Sequence, residues 1–549
     1  MNGERQWWRA LRSRYPKEFA DAWIHLILAA VLTASIAQQT VTRARPLTYL
    51  HAWGAAGAAV DARAFRIAGI FALKGVPVHN NPPFGIHPAA YLHWPPLLAL
   101  ALTFWFSLWG ESESAIHLFT LVVYLLTTGF LYWLLKVMVG RAGAAIGTLG
   151  WLALPVVVRY AHVVLNESLG FPFALFALIA FAHQKDSAHP ARWKAGGVWA
   201  MVFAVLSSWQ FLLVPVGLLA ATLWNRSRPG TRVAAIYLLA GIVTALTVIA
   251  WYGLAYPALA TDVFQAALYR MGLSHAYSTN AISGLGSTAP FLPFRSMVWS
   301  EARNLRWGLG ATAWMALAAV LISQLRHWQA RLNGTSLTVF CGLVAPPLLW
   351  FPLFMNHAAI HEFVTILLAP AAAFAMAWCG TLLLDALGSF GTARATALIR
   401  TLILAIPIAL SLPLLRQVHR NVQISRAAGS LIPAVSPRPD IMEPDELVDF
   451  GRALRARTEP AAVVLTPEPS SVPLYYSWRH MIQGVTSEED LNKLVPLIGT
   501  EFPSSPIYLA LIRREESNFP SVPATATSGT RDPFLIVRLE AGPRSAQGK

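Results

Sequence analysis

The sequence contains few charged residues. Asp, Glu, Lys and Arg make up 13% of the 549 residues, against roughly a quarter in soluble domains. Apolar types make up 55%, and the mean hydropathy is +0.49. A water-soluble core does not require so much apolar material. The composition therefore excludes an ordinary soluble domain and favours a chain that lies mostly in a lipid bilayer.

Cysteine is also scarce, and internal repeats are not apparent. The two cysteines, Cys341 and Cys379, both lie inside apolar runs. This pattern excludes a disulfide framework and gives no support for a cysteine metal cage. The lack of a repeat counts against many transporter folds. The basic start is followed by an apolar segment without a small-residue cleavage site, which predicts a retained first span.

The net charge of +15 has a simple explanation in a membrane protein. The cations mostly occupy short connections between apolar runs, where the positive-inside rule predicts them. A nucleic-acid partner is not expected, because the chain has no Arg/Lys face interleaved with exposed aromatic residues.

Apolar runs of spanning length recur along the first four hundred residues. A helix needs about 20 apolar residues to cross a bilayer. The candidate spans are 22–40, 94–110, 115–139, 165–183, 232–256, 307–325, 335–355, 361–386 and 398–416.

Two further apolar segments are not ordinary single spans. Residues 196–224 are too long for one span and have cations on both flanks, which predicts a tight hairpin with its turn at 207–210. Segment 141–159 is short, rich in glycine and interrupted by Pro155. It predicts a re-entrant or interfacial helix.

Counting spans with the basic N-terminus inside gives a mainly α polytopic membrane protein with eleven transmembrane helices. The predicted membrane module is 1–416, in a bacterial-type inner membrane. Loops 41–93, 257–306 and 356–362 then share the outer face. Residues 417–549 have no spanning segment and predict a small extracytoplasmic, periplasmic α/β domain. Its predicted elements are a helix at 445–460 and strands at 461–467, 506–514 and 533–541.

The first external loop carries many ionisable groups. Asp61 comes early, and His93 begins a His-Trp-Pro-Pro element that enters the next span. Titratable groups beside a membrane surface suggest a polar head group as ligand. Taken singly, Lys74 and His79 are more simply explained as polar loop residues. The preceding Ala/Gly-rich segment, 54–60, could lie along the interface.

Two later positions are candidates for the same site. Glu167 opens the predicted span 165–183, and an acid at membrane depth is a functional candidate. The alternative is a helix-start carboxylate stabilised by the helix dipole, with Asn166 as N-cap. His357 and His361 are four residues apart and followed by Glu362, which places both histidines on one helix face. A zinc site there is weakly supported, since a third ligand is missing.

The order and spacing of these elements resemble the GT-C fold glycosyltransferases, in the group that contains the protein O-mannosyltransferases and the lipid A aminoarabinose transferase. Matching elements are the early acid Asp61, the His-Trp-Pro-Pro-Leu element, and a second acid at Glu167, 167 − 61 = 106 residues later. The hairpin turn at Trp209-Gln210 and a C-terminal Leu-Tyr-Tyr-x-x-Arg element at 474–479 also match. The motifs are short, but together they extend over most of the chain.

The resemblance implies an inverting glycosyltransferase that uses a polyprenyl-phosphate-linked sugar, with Asp61 as the catalytic residue. Such a transfer needs a carboxylate base, and positive charge or a metal to stabilise the departing phosphate. The candidate phosphate partners, beside the second acid, are His93, Arg66, Arg63 and Arg159.

Three departures from the family leave the metal open. Asp61 is followed by Ala62 where relatives often have Glu, Gln210 stands where they often have Lys or Arg, and the second acid is Glu167 where they often have Asp. If a divalent metal is used, Asp61 and Glu167 are the candidate ligands.

The remaining candidates are expected to contact donor or acceptor: His357, His361, Glu362, Trp209 and Gln210. The 257–306 loop, with Tyr269 and Arg270, could cover the site or bind acceptor. Expected partners are the lipid-linked donor, membrane lipid, and a glycan, lipid or protein acceptor. Two alternatives stay open: a transporter or flippase for a lipid-linked sugar, and a catalytically degenerate scaffold.

Overall fold

The fold is given by a computed structural model of the chain. It describes residues 16–41, 46–47, 52–84, 90–160, 163–184, 187–257, 260–274, 292–325, 334–388, 444–512, 519 and 533–539. The predicted span 398–416 and the predicted domain boundary near 416 lie outside these residues.

Helices account for most of the described N-terminal part. They are α1 (Pro16–Val41), α2 (Ala52–Ala68), α3 (Leu97–Trp109), α4 (Glu113–Ala153), α5 (Pro155–Tyr160), α6 (Asn166–His183), α7 (Pro190–Ser207), α8 (Leu213–Trp224), α9 (Arg228–Ala255), α10 (Ala260–Met271), α11 (Phe294–Leu325), α12 (Gly334–Leu353), α13 (Met355–Ile360) and α14 (Ala369–Gly388). Short 3-10 helices occupy Trp209–Leu212 and Glu362–Leu368.

Several of these helices can cross a membrane by length and composition. Within the described ranges four qualify, namely Glu113–Ala153, Arg228–Ala255, Gly334–Leu353 and Phe363–Leu384. A bent pair within α11 is a fifth candidate. The chain is thus a multi-pass membrane protein, and the count of eleven spans stays a prediction.

The outer surface of α9 is typical of a helix in contact with lipid. Leu239 and Leu246 are each 61% exposed and Leu254 is 76% exposed. These residues recur at intervals of seven and eight and therefore lie along one face of the helix. Large apolar side chains exposed in such a row require a lipid or protein environment.

The segment predicted to be re-entrant is interrupted at both ends. Gly140 has φ 82° and ψ 176°, which breaks the helical path inside α4. Leu154 is extended before Pro155, where α5 begins. The stretch between the breaks is shorter than the roughly 20 residues that a crossing needs. It is buried against α14, where a Cβ on Gly147 would lie 2.6 Å from the Ala373 carbonyl oxygen.

The predicted hairpin is confirmed. Helix α7 ends at Ser207, and α8 begins at Leu213 after a 3-10 turn. A Cβ on Gly197, early in α7, would meet Tyr237 of α9, and one on Gly230 of α9 would meet Thr222 late in α8. Further along α9, Gly241 lies against both Val205 and Leu212. The two arms therefore run in opposite directions beside α9, with the turn towards its C-terminal end.

The C-terminal part is a small α/β unit. It contains α15 (Pro444–Arg457), β1 (Val463–Thr466), α16 (Ser471–Ser477), β2 (His480–Gln483), α17 (Glu488–Glu501), β3 (Ile507–Ile512) and β4 (Phe534–Leu539). The sheet order is β2-β1-β3-β4, with β1 parallel to β2 and β3, and β4 antiparallel to β3. The predicted helix and three strands are confirmed. The fourth strand, β2, was not predicted.

The Ala/Gly-rich segment of the first external loop is helical and packed. It forms the buried part of α2, and its expected position along the membrane interface stays a prediction. Small side chains allow this helix to pack closely against its neighbours. Helix α3 of the membrane module and helix α16 of the C-terminal unit both pack on α2. The helix that carries Asp61 thus lies between the membrane module and the C-terminal unit.

Candidate active site

Asp61 lies on α2 and is only 5% exposed. Its Oδ1 is 3.1 Å from Nδ1 of His79, and Nε2 of the same ring is 2.8 Å from Oγ of Ser471. Oδ2 of Asp61 has no hydrogen-bond partner among the described residues. Gly57, one turn before Asp61, leaves room for this ring, because a Cβ there would lie 2.3 Å from His79 Cε1.

His93 lies beside this group in the segment that leads into α3. Its ring is 5.1 Å from that of Tyr91, which in turn lies 5.3 Å from the ring of His79. Burial, reinforced by Arg270 and His79, lowers the pKa of His93 to about 3. The imidazole is therefore neutral near pH 7. In this state the ring carries no positive charge.

The predicted hairpin turn reaches the same place. Trp209 Nε1 donates to the backbone carbonyl of His93 at 3.0 Å. Ser208 donates to Oε1 of Gln210 at 2.8 Å, and Gln210 is fully buried. The turn thus holds the segment before α3 in position and presents the Gln210 amide inside the protein.

Arg270 is the buried cation of this region. It lies on α10, is 6% exposed, and donates from a terminal nitrogen to the carbonyl of His93 at 3.2 Å. Its guanidinium carbon lies 4.8 Å from the centroid of the Trp94 ring. Its Nε is buried and has no hydrogen-bond partner in the described part of the chain. Arg270 therefore retains a donor for a further anionic partner.

Glu167 lies next to Gln210 and close enough to Arg270 to interact with it electrostatically. The carboxyl group is 2% exposed. Neither its Oε1 nor Nε2 of Gln210 reaches hydrogen-bond geometry with any described group. Asn166 is the first residue of α6 and not its N-cap, which is Leu165 without a capping side chain. The capping alternative for this position is therefore wrong in that detail.

His357 of α13 and His361, the residue after this helix, also contact the region of the site. The His357 ring lies 5.8 Å from that of Trp94, and the His361 ring lies 5.9 Å from that of Trp53 on α2. Burial, with His361 and Arg270 nearby, lowers the pKa of His357 well below its usual range. Glu362 begins a 3-10 helix, and its side chain lies outside the described atoms.

Arg63 and Arg66 are occupied elsewhere. Arg63 is 1% exposed and donates from Nε to Glu111 at 2.8 Å, from Nη1 to Asn81 at 2.9 Å, and from Nη2 to the Tyr475 carbonyl at 3.0 Å. Arg66 reaches the same Glu111 at 3.4 Å. These contacts do not favour a phosphate role for either arginine. Arg159 is exposed at the end of α5.

The described ranges contain no cluster of side chains suited to bind a metal ion. No group of three or more His, Cys, Asp or Glu side chains there is arranged to hold a metal ion. Asp61 is paired with His79, and Glu167 lies near an amide and a cation. The pair His357 and His361 has adjacent rings, 4.8 Å between centroids, without a third ligand.

The structure thus brings together most of the predicted positions. His79 contacts Asp61 and lies beside the Tyr91 ring, which in turn lies beside His93. Arg270 binds the His93 carbonyl and interacts electrostatically with Glu167 and His357. Sequence reasoning underrated both residues. His79 looked like an ordinary loop residue, and Arg270 was one of several polar residues in a long loop. Only Gly57, which leaves room for the His79 ring, could have hinted that this ring packs against α2. Nothing in the sequence distinguished Arg270 from the other arginines.

Comparisons with known proteins give a likeness of fold. No family model and no curated protein matches the sequence. Among solved structures, the chain is similar to ArnT from Cupriavidus metallidurans bound to undecaprenyl phosphate. The TM-score is 0.58 at 14% identity, over 94% of this chain and 98% of that one.

A second similar structure is the oligosaccharyltransferase AglB from Archaeoglobus fulgidus in complex with an inhibitory peptide and a dolichol-phosphate. The TM-score is 0.55 at 12% identity, over 90% of this chain and 70% of that one. The chain therefore has the predicted GT-C membrane fold with a small C-terminal α/β sheet.

Proposed function

We propose that this chain is an integral membrane glycosyltransferase. It transfers a sugar from a polyprenyl-phosphate-linked donor to an acceptor at the outer face of a bacterial-type inner membrane, with Asp61 as general base. The observation that carries the proposal is a buried carboxylate with one oxygen held by His79 and the other without a described partner. It belongs to the same contact network as a buried cation that retains an unpaired donor.

The charges suit transfer from a lipid phosphate. The bond between the sugar and the phosphate breaks, and the departing phosphate gains negative charge. A preorganised buried donor stabilises that charge strongly because water does not compete with it. Arg270 is the residue proposed for this role. The solved structures of ArnT with undecaprenyl phosphate and AglB with dolichol-phosphate support a lipid phosphate as the leaving group.

Asp61 supplies the other half of the reaction. As the acceptor hydroxyl or amine attacks the anomeric carbon, its proton passes to the carboxylate. One base and no covalent nucleophile are compatible with a single displacement, which inverts the anomeric centre. Glu167 lies beside Gln210 and interacts electrostatically with Arg270, and both Glu167 and Gln210 are proposed to orient the donor. His357, His361 and Trp53 are proposed to contact the sugar or the acceptor.

The test uses purified protein in nanodiscs with labelled undecaprenyl-phosphate sugars. Asp61→Asn keeps the size of the side chain but removes the base, and we expect transfer to fall by roughly 10²- to 10⁴-fold. Asp449→Asn is the matched control, since that carboxylate is exposed on α15 and should leave the rate unchanged.

Three results would contradict the proposal in different ways. Transfer at the wild-type rate by Asp61→Asn would remove Asp61 as the base. Movement of intact donor lipid across the bilayer without transfer would identify a flippase. Neither transfer nor movement by the wild-type protein would favour the scaffold alternative.

A further inference from the structure

The geometry points to His79 as a positioning residue that selects which oxygen of Asp61 acts as the base, an inference that rests on the proposed function. His79 is held at both ends. Nδ1 lies 3.1 Å from Asp61 Oδ1, and Nε2 lies 2.8 Å from Ser471 Oγ. Ser471 belongs to the C-terminal unit, 392 residues further along the chain. A residue of the periplasmic unit therefore helps to orient the catalytic carboxylate.

Hydrogen-bond chemistry determines the tautomer of this ring. An ionised carboxylate only accepts hydrogen bonds, so the nitrogen next to Asp61 must carry a proton. In the neutral imidazole the other nitrogen is then an acceptor, and the Ser471 hydroxyl donates to it. Ser471 thus stabilises the tautomer in which Nδ1–H points at Asp61. The arrangement uses the principle by which a third group orients the histidine of a catalytic triad.

The consequence concerns the two oxygens of Asp61. Oδ1 accepts the hydrogen bond from His79, whereas Oδ2 has no described partner. During transfer the acceptor proton therefore goes to Oδ2, and the bond at Oδ1 holds the carboxyl plane in place. The proton leaves the acceptor oxygen or nitrogen as that atom bonds to the anomeric carbon, so His79 itself neither gains nor loses a proton.

The residues that follow His79 explain how the C-terminal unit maintains this position. The Asn80 side chain pairs with both the backbone N–H and the carbonyl of Met481, at 3.0 and 2.9 Å. The Asn81 amide donates to the carbonyls of Leu474 and Arg479. Both asparagines are at most 4% exposed. His79-Asn80-Asn81 is therefore a three-residue segment whose first member contacts Asp61 while the other two bind the C-terminal unit.

Two substitutions of His79 separate positioning from mere attachment. The amide of Asn occupies about the place of the imidazole Nδ1, and the amide of Gln about the place of Nε2. If His79 positions Asp61, His79→Asn should keep kcat within about tenfold of wild type, while His79→Gln and His79→Ala lower it by about 10²-fold. KM should change little in all three variants. If His79 only attaches the C-terminal unit through Ser471, Gln should restore activity and Asn should not.

A second pair of variants disturbs the ring without removing any polar atom. A Cβ on Gly57 would collide with the His79 ring, whereas a Cβ on Gly54, one turn earlier, meets only Leu165 Cδ2 at 3.9 Å. We expect Gly57→Ala to lower kcat and Gly54→Ala to leave it unchanged. Alanine favours a helix over glycine at both positions, so a loss confined to Gly57→Ala cannot come from the backbone.

The outcomes distinguish this inference from the proposed function. Wild-type transfer abolished by Asp61→Asn, together with the Asn-over-Gln order and the Gly57 effect, supports both. Loss of transfer in Asp61→Asn with equal rates for His79→Asn and His79→Gln overturns the positioning role alone. Undiminished transfer by Asp61→Asn removes Asp61 as the base and overturns this inference with it, whereas absence of transfer by the wild-type protein overturns the proposed function.

Discussion

Asp61 and Arg63 of α2 each belong to a cluster of largely buried polar side chains. The two clusters differ in how completely their polar atoms are hydrogen-bonded. The Asp61 cluster consists of Asp61, His79, Glu167, Gln210 and Arg270, and three of these side chains carry a buried polar atom without a described partner. In the Arg63 cluster, which contains Arg63, Glu111, Asn81, Tyr475 and Trp478, the guanidinium donates to three separate partners and stacks 4.0 Å from the Trp478 ring. A buried polar group left without a partner is costly unless it serves a ligand. This difference supports the proposal that the first cluster serves a ligand, whereas the second is suited to holding the structure together.

The two clusters are separated by helix geometry. Residues two apart on an α-helix do not share a face. Asp61 therefore points towards His79, while Arg63 points towards Glu111 and the C-terminal unit. The segment His79-Asn80-Asn81 joins both clusters, since His79 contacts Asp61 and Asn81 contacts Arg63. Docking of the C-terminal unit and orientation of Asp61 thus involve one short stretch of chain.

The largest expected effect tests the structural cluster. Arg63→Ala leaves Glu111 buried without its main partner, and removing one member of a buried pair costs about 3–5 kcal/mol of unfolding free energy. Arg66→Ala removes a weaker, partly exposed contact to the same Glu111 and should cost less than about 1 kcal/mol. Denaturation of the purified protein in detergent measures both. Equal losses would show that the Arg63 cluster contributes no more than a surface pair.

A smaller effect, confined to activity, is expected in the Asp61 cluster. Arg270→Gln should slow transfer by roughly 10²- to 10³-fold, because it removes the buried charge proposed for the departing phosphate. Stability should change little, since the His93 carbonyl keeps its bond from Trp209. Arg306→Gln, at an exposed position on α11, is the control. A large loss of stability with unchanged turnover per folded molecule would show that Arg270 supports the structure and not the transfer reaction.

The smallest effect is a pH dependence of stability that arises at His480, which contacts Asn81 of the Arg63 cluster. Burial lowers the pKa of His480 from 6.5 to about 4. Nδ1 of its ring lies 3.1 Å from the Asn81 carbonyl oxygen, to which it donates. As pH falls below 6.5, His480 becomes protonated in the unfolded chain, whereas in the folded protein it stays neutral until about pH 4. The unfolded state then binds more protons, so stability declines with falling pH by about 2 kcal/mol at pH 5.

His480→Gln should remove that part of the decline. The measurement compares unfolding free energies at pH 7.5 and pH 5 for wild type, His480→Gln and the exposed-residue control His189→Gln. A variant that retains the full wild-type decline would show that His480 is not the group responsible.

Most of the membrane architecture was predictable because it depends on local patterns. Apolar length predicted the helices, and cations on both flanks of 196–224 predicted the hairpin and its turn. Short apolar runs bounded by proline or charged residues predicted three of the four strands. The burial of α2 was not predictable in this way, because its alanines and glycines suit an interface as well as a packed core. Its environment depends on α3 and α16, which are distant in sequence.

The candidate site was predictable in its members more than in their roles. The early acid, the segment before α3, the hairpin turn and the α13 histidines were all named and do converge. The roles of the arginines were not predictable, because the sequence shows that a residue is charged but not which groups it contacts. Arg63 is neutralised by a residue 48 positions away and bound by a carbonyl 412 positions away.

By itself the sequence determined that this chain lies in a membrane, where its polar loops meet, and that Asp61 is the acid to examine, because composition and spacing are carried by neighbouring residues. Only the tertiary structure decided that Asp61 is held by His79, that Arg270 and not Arg63 is the cation with a donor to spare, and that the C-terminal unit contacts the site. The physical reason is that burial and the pairing of hydrogen-bonding groups depend on contacts between residues far apart in sequence. A local sequence pattern does not indicate these contacts.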